Sequence, residues 1–210
     1  MASRLFAAAA LAAVVSGVVH ASPISIGGTT FAGGLNDFPT SVVTISGGGN
    51  EFAGVTCEAA LTGADIDTGC FNIASGGVFR LDFARTFANE AGADIYFTDS
   101  RFSADALDFS LDGTTFFNIA AGDFTNTGVN STIRGVGGSF DLFAAEVDLS
   151  GYGFAPGGTY SSIWLRGAGE SDPIVVGLLD GSAPPAIPLP ASLPLLAVGL
   201  GGFALARRRV

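Results

Sequence analysis

The chain has 210 residues, no lysine and a formal net charge of −10. Four of its nine arginines lie in the two end segments and all nineteen acidic residues fall between positions 37 and 180, so the body sets five arginines against nineteen carboxylates, a formal −14. A surface of that sign repels phosphate backbones and excludes a nucleic-acid partner; it suits a divalent cation or plain solubility.

Arg4 opens a signal-like segment. Leu5 to Val19 is apolar apart from Ser16 and Gly17, and Val19-His20-Ala21 sets compact residues ahead of a cut between Ala21 and Ser22. An apolar run of about 15 residues is short for a bilayer core of ~30 Å, so residues 1–21 read as a cleaved signal peptide handled by Sec export machinery rather than as an anchor. Cleavage removes His20, the only histidine of the chain.

Residues 22–182 read as one all-β domain, because short alternating segments recur between turn signals. In Ser41–Ser46, Val43 and Ile45 alternate with Thr44 and Ser46. Cys57 and Cys70 follow, 13 positions apart, around a turn-rich stretch with Gly63, Asp65, Asp67 and Gly69. Two thiols in an exported chain most simply form a disulfide, and neither a CxxC spacing nor a histidine is there to make a zinc site. Further strands are predicted at 77–84, 93–98 and 106–111, the last with Leu107, Phe109 and Leu111 on one side and Asp108 and Ser110 on the other. Asp112-Gly113 then signals a tight hairpin into 114–119. Segments 140–149, 160–166 and 173–179 supply the later strands. Many short strands with Gly-rich turns point to a β-sandwich or jelly roll.

The side chains available for chemistry are few. Without histidine or lysine, and with the cysteines paired, the mature chain has no Ser–His–Asp, Cys–His or Ser–Lys arrangement, and no phosphate-binding glycine loop follows a strand. The chain therefore reads as a non-enzyme, although its many carboxylates keep an acid–base pair formally open. No cofactor is expected beyond calcium, for which loop oxygens come from Asp65 with Asp67, or from Asp94, Asp99 and Asp105; the alternative is that these aspartates cap turns. Trp164 alternates with Ile163 and Leu165. If those two face the core, Trp164 and Arg166 lie on the opposite face as candidate sugar contacts; the alternative places the indole in the core.

Pro184, Pro185, Pro188, Pro190 and Pro194 punctuate the end of the chain, with 183–187 as a linker. Leu193 to Ala206 is entirely apolar, Gly or Pro, and Arg207, Arg208 and Arg209 follow at once. An apolar run of that length is near the lower limit for a spanning helix, and the arginines would stay on the cytoplasmic side. The proline motif Pro188-Leu189-Pro190-Ala191, the Gly-rich apolar run and the arginine cluster together resemble the VPLPA-type PEP-CTERM sorting signal, with Ile187 where that motif has Val. The resemblance implies a Gram-negative envelope, an exosortase-type membrane protease that cuts near the motif, and a body delivered to the cell surface or biofilm matrix.

A second resemblance lies in the body. Gly76-Gly77-Val78-Phe79-Arg80-Leu81-Asp82-Phe83, then Gly92-Ala93-Asp94-Ile95-Tyr96-Phe97, then Phe109-Ser110-Leu111-Asp112-Gly113-Thr114-Thr115-Phe116 and Asp148-Leu149-Ser150-Gly151-Tyr152-Gly153 are similar to cell-surface β-sandwich domains of the discoidin or galactose-binding kind. Those domains carry Phe-Glu after the Asp strand; Phe97-Thr98-Asp99 stands here, so no site built on that Glu carries over. The function implied is a structural or adhesive surface protein, or a module that binds extracellular polysaccharide with or without calcium.

Overall fold

A computed structural model of the chain describes residues 22–49, 55–70, 73, 76–101, 105–132, 138–169 and 171–179. The signal segment with Ala21, the linker 183–187, and the sorting segment with Pro188, Leu189, Pro190, Ala191, Arg207, Arg208 and Arg209 lie outside the described residues. Among the described residues no helix is long and apolar enough to cross a membrane.

The described residues are all-β, and their sheets are antiparallel. They open with a hairpin, β1 (Ile24–Ile26) and β2 (Thr29–Phe31), closed by Gly27-Gly28. Both glycines have positive φ, 58° and 90°, which the two-residue turn requires and which side chains resist. Among the described residues nine strands follow: β3 (Pro39–Ser46), β4 (Val78–Ala88), β5 (Ile95–Arg101), β6 (Leu107–Ser110), β7 (Phe117–Ile119), β8 (Thr125–Ser131), β9 (Phe140–Val147), β10 (Thr159–Gly167) and β11 (Pro173–Leu178). They build a five-stranded sheet in the order β3-β4-β10-β6-β7 and a four-stranded sheet in the order β11-β5-β9-β8.

Side-chain alternation explains why the two sheets stack. Phe79 and Leu81 of β4, Leu107 and Phe109 of β6, and Ile163 and Leu165 of β10 turn inward from one sheet. Ile95 and Phe97 of β5, Ala145 and Val147 of β9, and Val176 and Leu178 of β11 meet them from the other in a single buried cluster. Each such aliphatic or aromatic side chain contributes about 1.5–3 kcal/mol on full burial. This layering is that of a β-sandwich. Aromatic edges extend the cluster: Phe109 and Phe117 each pack edge-on against Tyr152, at 5.0 and 5.6 Å between centroids, and Phe154 bridges Phe117 to Tyr160.

The outer face of the four-stranded sheet is covered as well. Tyr96 of β5, Leu142 of β9 and Val175 of β11 form a second cluster with Ile26, Phe31 and Phe38, so the N-terminal hairpin lies over that sheet as a partial third layer. Cys57 opens a one-turn helix (Cys57–Ala60) whose first turn is capped by Thr56, with Oγ1 accepting from Ala59 N at 3.2 Å. Cys57 and Cys70 are joined in a disulfide, and both are buried against the main core.

Two local expectations are corrected. In β3 the inward residue is Val42, opposite buried Leu81, while Val43 and Ile45 face solvent. β3 pairs on one side only and carries bulges, so its register follows β4 rather than its own alternation. Asp112-Gly113 does not form a two-residue hairpin: β6 ends at Ser110 and β7 begins at Phe117, leaving a six-residue connection. Side-chain acceptors fold that connection. Ser110 Oγ accepts from Asp112 N and Gly113 N, and Asp112 Oδ1 accepts from Thr114 N and Thr115 N, both at 2.7 Å.

Candidate functional site

The outward residues of the five-stranded sheet form a polar and aromatic strip. Strand register places Arg80 beside Trp164 and Trp164 beside Ser110; one step along, Arg166 lies beside Asp108 and Asp108 beside Asn118. Ile163 and Leu165 are buried, so Trp164 and Arg166 do lie on the face away from the core. Their environment is a closed one. Arg166 Nε and Nη2 both donate to Asp108 Oδ2, at 3.0 and 2.6 Å, and the guanidinium sits 4.1 Å from the Phe116 ring centroid. Asn118 Nδ2 donates to Asp108 Oδ1, so both carboxylate oxygens are used. Arg80 donates twice to Asp82 Oδ2, and Ser162 Oγ donates to Asp82 Oδ1.

Trp164 is half-buried. The connection after β6 folds back over it: a Cβ at Gly113, whose φ is 73°, would stand 3.0 Å from indole Cε2 and Nε1. That main chain covers one side of the ring which a sugar would need.

The calcium candidates are not gathered. Asp94 precedes β5 and braces two loops, Oδ1 accepting from Glu90 N and Oδ2 from Leu149 N, both at 2.9 Å. Asp99 lies five residues further along extended chain, about 17 Å at ~3.4 Å per residue. Asp94 therefore cannot share an ion with Asp99 and Asp105; strand geometry overturns that trio. Asp99 Oδ2 accepts from Asp105 N at 3.0 Å. Burial pushes the Asp99 carboxyl up to about 7, against the Asp105 N–H, which favours its charged form; repulsion from Asp172 and Asp105 adds to the rise. Asp65 Oδ1 accepts from Asp67 N, and Asp67 Oδ1 from Thr132 N and Oγ1, so this pair braces a turn. Among the described residues no group of three or more His, Cys, Asp or Glu side chains is placed to hold a metal ion.

A different site emerges between the N-terminal hairpin and the outer face of the four-stranded sheet. It is a cleft of about 370 Å³. Gly27 and Thr29 form the hairpin wall, Tyr96, Ala144 and Glu146 the floor, and Asp123, Thr125, Asn126 and Thr127 the opposite wall. The wall is close because Gly27 has no side chain: a Cβ there would meet Thr127 Cγ2 and Tyr96 Oη, each at 2.7 Å. Tyr96 Oη donates to Ile26 O at 3.1 Å, tying the hairpin to β5. Thr29 Oγ1 donates to Glu146 Oε1 at 2.8 Å, tying it to β9, where Glu146 is the cross-strand neighbour of Tyr96. Burial, opposed by the bond to Thr29 and reinforced by Glu146, pushes the Tyr96 phenol up to about 12.

Nothing in the sequence reading pointed to these residues. Gly27-Gly28 between Ile24-Ser25-Ile26 and Thr29-Thr30-Phe31 is the hairpin signal that would have found one wall. The other wall, in β8, reads Thr-Asn-Thr-Gly-Val-Asn-Ser and has no apolar alternation to find. Comparison of the chain with family models and with curated proteins found no match.

Proposed function

We propose that this is an exported, non-catalytic protein of a Gram-negative cell surface or extracellular matrix, acting by structural presence or adhesion. In this reading the Sec machinery exports it and cleavage falls between Ala21 and Ser22. The C-terminal segment then holds it in the membrane until an exosortase-type protease acts at Pro188-Leu189-Pro190-Ala191, with Arg207, Arg208 and Arg209 on the cytoplasmic side. The body is a discoidin-like or galactose-binding-like jelly roll. The observation that carries the reading is the Cys57–Cys70 disulfide between two buried cysteines, since such bonds persist in oxidising compartments and are rare in the cytosol. The missing lysine, and the loss of His20 with the signal, support a body without nucleophilic catalysis. Intact mass of the protein from its native host tests all of it at once. The expected mass lacks residues 1–21, ends near Pro188–Ala191, and is two protons short of the dithiol. A full-length cytosolic chain with free thiols would overturn it.

A second reading, a module that binds extracellular polysaccharide, is favoured by the acceptor-rich cleft beside Tyr96 and Glu146.

A further inference from the structure

We propose that the cleft under the N-terminal hairpin is a saccharide site that takes an uncharged, hydroxyl-rich chain end through direct hydrogen bonds. This rests on the polysaccharide reading and moves its site from the Trp164 strip to the opposite sheet. The argument is one of chemical complementarity. Seven of the lining residues carry polar side chains: Thr29, Tyr96, Asp123, Thr125, Asn126, Thr127 and Glu146. Two are carboxylates, and among the described residues no arginine lines the space. An anionic ligand such as a phosphate or a uronate therefore meets repulsion with no compensating cation among them.

Several of these side chains are already spent on the fold. Thr29 donates to Glu146, Tyr96 to Ile26 O, Thr127 to Leu142 O, and Asn126 Oδ1 accepts from Gly128 N. Glu146 Oε1 accepts from Thr29 and Asp123 Oδ2 from Ala120 N, which leaves Glu146 Oε2 and Asp123 Oδ1, on exposed side chains, to face the cleft. A ligand that supplies hydroxyl donors satisfies both, and O–H bonds to a carboxylate are about twice as strong as neutral ones. Only the Tyr96 ring is aromatic, and it is buried (1% exposed), so no ring face is offered to a flat apolar ligand. The volume is at the small end of the ~300–1,000 Å³ typical of ligand sites, which suits the end of a chain rather than its middle. The walls are set before binding by the Gly27 approach and the two hairpin ties, so little ordering is required of the protein.

The test is calorimetric titration of the full chain in mild detergent with cellohexaose, maltohexaose, mannohexaose and an oligoguluronate. Each is run with and without EDTA, on the wild type, Glu146→Ala, Thr125→Trp and Trp164→Ala. Thr125→Trp fills the cleft from an exposed wall position and leaves both hairpin ties in place, whereas Glu146→Ala also removes the Thr29 tie, so circular dichroism and the urea midpoint of each variant check that the fold is kept. The expected result is saturable binding of at least one neutral hexaose, indifferent to EDTA, weakened tenfold or more by Glu146→Ala and by Thr125→Trp, and kept by Trp164→Ala. Binding lost with Trp164→Ala but kept by the two cleft variants overturns this site and leaves the polysaccharide reading standing on the strip. Binding that EDTA abolishes overturns the direct-contact chemistry. Preference for the oligoguluronate overturns the exclusion of anions. No binding by any sugar overturns site and reading together.

Discussion

The Phe31 ring lies on the main chain of Gly177. A Cβ at position 177 would run into Phe31 Cε1 and stand 3.0 Å from Cζ. Gly177 is in β11, opposite Tyr96 of β5, and Phe31 ends the hairpin that roofs the cleft. The absence of one methyl group thus lets the N-terminal layer seat on the sheet.

Gly177→Ala should therefore unseat the hairpin rather than break the sandwich. Overpacking of this kind costs about 1–3 kcal/mol. Phe31 is buried and held by Phe38 and Tyr96, at 4.7 and 5.3 Å between centroids, so the ring has little room to swing aside. Urea denaturation should give a lower midpoint for the variant. Combining it with Phe31→Leu should recover part of the loss, because the two residues share one contact. Strict additivity of the two changes would place the strain elsewhere.

The strands that sequence alternation marks are those with one face on the core: Phe79 and Leu81, Phe97, Phe109, and Ile163 with Leu165 all fall inward as the two-residue period requires. The elements it misses have no such face. β8 is an edge strand with mostly polar residues, and its place is set by pairing to β9. β1 and β2 have three residues each, too few for a period to show. Val43 and Ile45 show alternation of the wrong phase, because β3 takes its register from β4. The cleft was illegible for the same reason: its walls come from these weakly patterned strands, and only its floor, Tyr96 and Glu146, comes from strands with a strong pattern. Trp164 and Arg166 were placed on the correct face by alternation, but the fold-back of Gly113 and Phe116 over them depends on Ser110 and Asp112 capping, which no periodicity reports.

Removing the disulfide should lower stability by about 3 kcal/mol, the chain-entropy contribution of a loop of this size. The bond closes a 13-residue separation, and both sulfurs are packed against the main core. Denaturation followed by Trp164 fluorescence should show a lower midpoint after reduction. The Cys57→Ala, Cys70→Ala double variant should match the reduced wild type and ignore reductant. An equal midpoint for oxidised and reduced protein would contradict a structural role.

The two arginine–aspartate pairs on the strip should differ in weight. Arg166–Asp108 is the more enclosed, with the Asp108 side chain only 12% exposed, whereas in Arg80–Asp82 both partners are about a third exposed, at 39% and 31%. Asp108→Ala takes the acceptor from both Arg166 and Asn118 and should cost about 1–3 kcal/mol. Asp82→Ala should cost about 0–1 kcal/mol, because solvent screens the pair. Thermal melts of the two variants at matched salt give the comparison. Equal losses would mean that enclosure of the strip has no energetic weight.

Asp99 should make the protein less stable as pH rises through the weakly acidic range. In the folded state burial, together with Asp172 and Asp105, keeps its carboxyl protonated up to about pH 7, while in the unfolded chain it ionises near pH 4. Between these values the folded state binds the extra proton, so stability falls as pH rises. The contribution is complete below about pH 4, falls through the interval, and is gone above about pH 7. Asp99→Asn removes the ionisation and keeps an oxygen to accept the Asp105 N–H. Relative to wild type the variant should gain little at pH 4 and up to about 4 kcal/mol at pH 7.5. Urea denaturation of both proteins across that interval measures the difference and cancels the carboxylates they share. A variant that loses ground to wild type as pH rises would mean that Asp99 is ionised in the folded protein and held by a cation that the aspartate alone attracts.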